Sequence, residues 1–200
     1  MAKSKEQPAD DAPAVDADGL PILDYPASVL VIVPPEAFDE QVLRHVRSSL
    51  EMLHVSTRCV SSRSEEALKG SLQDEFLVDG SVADQALEGY VGLVLAGGDS
   101  AENMASDPDV LRLLRAAVSA SMPVGAWGRA VAVLARSGLL EKRRVAGAAE
   151  LAGEIMAAGG RYSSRPLVID GQLITGKDES AGMRFAKAFS GAVPLSARIA

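Results

Sequence analysis

The chain has 200 residues, 48% of them hydrophobic and only 4% aromatic, and a formal net charge of -7. That length favours one domain with a sizeable core packed from Ala, Val and Leu. The acidic balance excludes nucleic acid as a partner, because phosphate binding needs clustered Lys and Arg, and the one basic run, Lys142-Arg143-Arg144, reads as a solvated turn.

A single cysteine, Cys59, leaves no intrachain disulfide and no cysteine-based metal cluster. The two histidines, His45 and His54, lack a metal-ligand spacing. No metal and no cofactor is expected. Residues 1–26 are rich in Ala, Asp and Pro, without apolar period, and read as a flexible acidic tail whose 20–23 patch could pack locally. The start of the chain lacks the apolar core of a signal peptide, and no apolar stretch is long enough to span a bilayer. A cytoplasmic protein with no membrane partner is the expectation.

From residue 27 to 200 the sequence alternates short apolar runs with amphipathic segments, the signature of βαβ units. Val29 to Val33 forms a buried central strand ended by Pro34-Pro35. Residues 38–53 carry Val42, Val46, Leu50 and Leu53 at helical spacing, and Val55 to Val60 makes a second strand. Phe76-Leu77-Val78 followed by Asp79-Gly80 predicts a hairpin. Val91 to Leu95 is another buried strand, running into Ala96-Gly97-Gly98. Asp107-Pro108 starts a helix over 108–120, with proline where its missing N–H costs nothing. Pro123 to Ala126 is a strand, and Arg129 to Ser137 a helix ended by Gly138. A short strand at Arg144-Val145, a helix at 148–158, a hairpin from Pro166 to Thr175 over Asp170-Gly171 and a helix at about 179–190 complete the chain. The sum is a three-layer, flavodoxin-like α/β sandwich around a mostly parallel sheet.

Sites in such sheets lie beyond the carboxyl ends of the strands. Those ends are Pro34 to Glu40, Ala96 to Ser100 and Ala126 to Arg129. At the last, a strand runs into a helix with almost no loop, the geometry of a nucleophile elbow, where helix-start amides stabilise negative charge.

The stretch P-V-G-A-W-G-R-A-V-A-V-L-A-R-S-G-L-L-E-K-R-R-V-A-G (123–147) resembles the PfpI/ThiJ superfamily, a branch of the class I glutamine amidotransferase-like fold. L-V-L-A-G-G (93–98), D-G-Q-L-I-T-G-K (170–177) and P-P-E-A-F-D-E (34–40) are similar to further motifs of that family, in unbroken order over about 28–192. The resemblance puts Gly128 where the family has its nucleophilic cysteine and Arg129 where it has histidine. Glycine has no nucleophile, and it adopts strained elbow angles without penalty. The expectation is therefore a degenerate elbow with no catalytic residue.

Asp39 takes the place of the family's glutamate and either caps its own helix or pairs with Arg129. Arg129 either binds a small anion together with the helix-start amides or forms a salt bridge, to Asp39 or to a partner subunit. Trp127 either fills core or lines a ligand site. Gly97 and Gly98 make a tight turn and resemble the loop that supplies the family's oxyanion amide. Cys59 reads as a buried, inert thiol, both histidines as surface residues, and Ser100 as lacking a histidine to activate it. The function expected is a catalytically silent binding or assembly module, self-associating into a homodimer or higher homo-oligomer, with a small anion or carbonyl metabolite as the other partner. The resemblance also implies the alternative, an enzyme of glyoxalase, deglycase or peptidase/amidase type with rearranged residues.

Overall fold

The computed structural model describes residues 27–64 and 67–194. The acidic segment 1–26, with its 20–23 patch, lies outside the described residues. β1 (Ser28–Ile32) forms from alternating aliphatic residues: Val29 and Val31 pack into one layer, Leu30 and Ile32 into the other. A three-residue strand, β2 (Glu36–Phe38), then precedes α1 (Glu40–Glu51), whose buried face is Val42, Leu43, Val46 and Leu50. β3 (Ser56–Ser61) lies parallel to β1. β4 (Leu68–Gly70) and β5 (Glu75–Phe76) join β2 in a small separate sheet.

β6 (Gly80–Ser81) extends the edge of the main sheet, and β7 (Tyr90–Leu95) flanks β1 on its other side. α2 (Pro108–Ser119) starts at Asp107, whose carboxylate accepts the Asp109 amide at 2.9 Å. β8 (Val124–Trp127) leads through a 3-10 turn, Gly128–Ala130, into α3 (Val131–Arg136). β9 (Arg144–Val145), α4 (Ala152–Ala157) and β10 (Arg161–Tyr162) follow, and the hairpin β11 (Leu167–Asp170) with β12 (Leu173–Gly176) leads into α5 (Gly182–Ala192).

The main sheet has the order β11-β12-β8-β7-β1-β3-β6, parallel except for the β11–β12 pair. α1 and α5 cover one face through Phe185, Phe189 and Leu50, while α2, α3 and α4 cover the other through Leu114, Val133 and Ile155. This is the three-layer sandwich expected. The order also aligns the carboxyl ends of β1, β7 and β8 side by side.

The hairpin predicted over Asp79-Gly80 does not form. β5 turns back onto β4, and β6 instead runs parallel to β3. Asp79 is the reason: its amide donates to the Cys59 carbonyl at 2.6 Å and its carboxylate accepts the Cys59 amide at 2.7 Å. These bonds hold it against β3 rather than at a reversal. The helices predicted at 129–137, 148–158 and 179–190 each open with a 3-10 turn, Gly128–Ala130, Ala149–Leu151 and Glu179–Ala181.

Candidate functional site

The three strand ends are tied into one knot. The Asp39 amide donates to the Gly97 carbonyl at 2.8 Å, and the Asp99 amide to the Ala37 carbonyl at 2.9 Å. Asp39 then uses both carboxylate oxygens. Oδ1 accepts the Val42 amide at 3.0 Å, capping α1, and Oδ2 accepts the Trp127 indole N–H at 3.1 Å. The cap is one of the two alternatives read from the sequence. The other, a pair with Arg129, is not made.

Arg129 instead sits between two glutamates, with Nη2 3.0 Å from Glu150 Oε1 and Nη1 3.7 Å from Glu102 Oε1. Neither partner was legible in the sequence. Both lie in 3-10 turns remote in the chain, Ala101–Ser106 and Ala149–Leu151.

Trp127 is 1% exposed, and its ring lies 5.2 Å from that of Phe185. It fills core, as one reading has it, and its edge also borders a cleft of about 570 Å³. Gly97 is glycine because of this ring: a Cβ there would stand 2.5 Å from the indole and 2.6 Å from the Trp127 carbonyl. It is buried beneath the cleft and does not line it. Gly98, Asp39, Trp127, Gly128 and Arg129 all do.

Gly128 has φ +60, the left-handed region, and a Cβ built there meets no atom within 4 Å. The elbow is thus bent as a nucleophile elbow is, with open space where a side chain would project. Ala37, across the cleft, is also left-handed (φ 50) without being glycine. That conformation costs about 1–2 kcal/mol and holds only because the surrounding bonds impose it.

The cleft is acidic. Asp39, Asp99, Glu150, Asp178 and Glu179 line it against two cations, Arg129 and Lys177. Arg129 is engaged as described, and Lys177 Nζ lies 3.9 Å from Asp178. With both cations facing carboxylates, the charge balance opposes the small anion considered from the sequence.

Neither Cys59 nor Ser100 is placed to act as a nucleophile at the elbow. The Cys59 thiol is buried in β3, separated from β8 by β1 and β7. Burial pushes its pKa up to about 12, the nearby Arg47 lowering it and Asp79 raising it further. The Ser100 hydroxyl donates to the Glu36 carbonyl. Groups of three or more His, Cys, Asp or Glu able to hold a metal are absent among the described residues.

One residue belies its sequence reading, and another had none. His45 is half-buried rather than at the surface, with its Nδ1 enclosed and unpartnered beside Gly182. Glu40, which sequence reasoning passed over for Asp39, is 6% exposed. Its Oε2 accepts the Leu72 amide at 3.1 Å, and its carboxylate occupies the space a Cβ at Gly70 would need. Its position three residues before Leu43, on the edge of the apolar stripe, was the available signal.

Residues 27–192 match the DJ-1/PfpI family. An uncharacterized protein of Methanocaldococcus jannaschii is 29% identical over 154 residues, 76% of this chain and 75% of that protein. One from Archaeoglobus fulgidus is 28% identical over 118 residues, covering 59% of this chain and 70% of the relative. Among solved structures, the ThiJ/PfpI domain protein of Brachyspira murdochii has a TM-score of 0.78 at 17% identity, covering 82% of this chain and 95% of that one. Drosophila melanogaster DJ-1beta has a TM-score of 0.77 at 24% identity, covering 84% and 91%. The chain belongs to the DJ-1/PfpI family.

Proposed function

We propose that this DJ-1/PfpI family member is a binding or assembly module without thiol chemistry. The observation that carries the reading is Gly128, a residue with no side chain at the left-handed elbow, φ +60, where the family resemblance expects cysteine. The groups around it support the same reading. Asp39 has both oxygens engaged by the α1 cap and the Trp127 indole, so it is not held ready to tune a neighbour's proton. Arg129 replaces a histidine and is held between Glu102 and Glu150. The thiol that the chain does possess is buried and kept protonated.

Self-association is part of this reading. Met52, Leu72 and Leu77, 82%, 64% and 77% exposed, are large apolar side chains open to such a contact. No helix among the described residues is long and apolar enough to cross a membrane.

The test is methylglyoxal consumption by the purified protein, with Asp39→Ala and Cys59→Ser as controls. Consumption no faster than buffer is expected from all three proteins. Turnover by the unmodified chain, lost in either variant, would replace this reading with an enzyme whose chemistry has moved away from the elbow.

A further inference from the structure

At the opposite, amino end of the strands, α2, α3 and the β11–β12 turn enclose a cleft of about 270 Å³. Its floor is Val124 and Leu134, 1% and 0% exposed, and its walls include Val118, Met122, Leu139 and Leu173. Among the described residues, Arg143 is the only charged one lining it. We propose that this cleft binds a small monocarboxylate with an apolar body, the carboxylate held by Arg143.

The guanidinium is ion-paired through one nitrogen only, which leaves its other N–H donors for that role. Its nearest carboxylate, Asp170 Oδ1, is 3.7 Å from Nη1, beyond hydrogen-bond reach. Asp170 Oδ2 accepts the Arg144 amide at 2.6 Å, which leaves only its Oδ1 facing Arg143. A guanidinium has five N–H donors in a planar fork matched to a carboxylate. Here it stands at the mouth of an apolar cleft with no side-chain hydrogen bond of its own among the described residues. The sequence places Arg143 in a basic run that reads as a solvated turn, so only the fold reveals what lies beneath it.

The cleft is also preformed. The Val124 amide donates to the Gln172 carbonyl at 2.8 Å, Met122 to Ala117 at 3.0 Å and Arg143 to Leu140 at 2.9 Å, which fixes all three walls. Ser121 and Gly171, at two of the rims, hold left-handed turns with φ 54 and 61. A rigid site loses little ordering entropy on binding. Its volume lies below the range of roughly 300–1,000 Å³ typical of drug-sized ligands. A short acyl chain or a single ring therefore suits it better than a larger metabolite.

The experiment titrates sodium octanoate into the full chain by calorimetry, with the methyl resonances of Val118, Met122 and Leu139 followed by NMR. Saturable binding with shifts at those methyls is expected, weakened by about tenfold or more in Arg143→Gln, as loss of a charge-assisted hydrogen bond requires. Octanol, the neutral analogue, should bind weakly and equally to both proteins. Met122→Trp, which fills the cleft and leaves Arg143 in place, should abolish octanoate binding. Failure of octanoate to saturate, equal affinity in Arg143→Gln, or shifts centred on the Gly98 and Gly128 amides would each overturn the proposal. None of these outcomes bears on whether the elbow has thiol chemistry.

Discussion

The two ends of the central sheet divide polar chemistry in opposite ways. The carboxyl end is rich in charge, yet its principal groups answer one another: Asp39 to Val42 and Trp127, Arg129 to Glu102 and Glu150. The cleft at the amino ends of β8 and β12 is poor in charge: Arg143, its one charged lining residue among those described, faces Asp170 at 3.7 Å and makes no side-chain hydrogen bond among the described residues. The number of charged side chains around a cleft therefore says little about what it can bind. What counts is which donors and acceptors the fold has left uncommitted.

The contrast can be tested from its rigid side first. If the carboxyl end is a closed knot, Gly98→Ala should be the most damaging single change there, because its Cβ would fall 2.2 Å from the Ala37 carbonyl oxygen and 2.5 Å from the Phe38 Cα, at a left-handed φ of +138. About 3 kcal/mol of stability should be lost, measured by urea denaturation. A loss well under 1 kcal/mol would show that the knot yields and that the contrast is overdrawn. Asp39→Ala comes next, at about 2–3 kcal/mol, since it removes a helix cap and strands a buried indole N–H. A neutral result would mean that the carboxylate is free to act.

A third test addresses the body of the sheet through pH. Burial raises the folded-state pKa of Cys59 to about 12, while an unfolded thiol titrates near about 8.5. Below that lower value both states hold the proton and stability is flat. Above it the unfolded chain loses the proton and the folded one keeps it, so stability falls as pH rises. The decline should reach about 2 kcal/mol by about pH 10 and disappear in Cys59→Ser. An unchanged slope in that variant would assign the alkaline loss elsewhere, with Tyr90, whose pKa burial also raises, the next residue to replace. The smallest effect belongs to Gly128→Ala. There is room for the methyl group, so only the left-handed backbone resists it, at about 1 kcal/mol. A much larger loss would reveal a packing constraint at the elbow that its open surroundings do not suggest.

Much of the fold is legible in the sequence because the governing signals are local. Val29 to Val33, Val91 to Leu95 and the stretch before Gly128 announce buried strands, and the spacing of Val42, Val46 and Leu50 announces α1. The strand ends and their glycines, which point to the cleft, are equally local. The two- and three-residue strands β2, β4, β5 and β6 are too short to show a period, and they arise from tertiary bonds such as those of Asp79 to Cys59. The cleft's chemistry was hidden for the same reason. Asp39 meets Trp127 across 88 residues of chain, and Arg129 meets glutamates in two separate turns. Arg143 shows the reverse failure, since a run of basic residues reads as solvent-facing whatever lies below it.

The chain has one tryptophan, and its N–H is bonded to a carboxylate that lines the elbow cleft. Near-ultraviolet emission from the whole protein is therefore dominated by a single indole at one address. A ligand or subunit that disturbs the Asp39 bond will shift that emission directly, and one that docks at the far end of the sheet will leave it unchanged. The molecule carries its own optical gauge for telling the elbow cleft from the one beside Arg143.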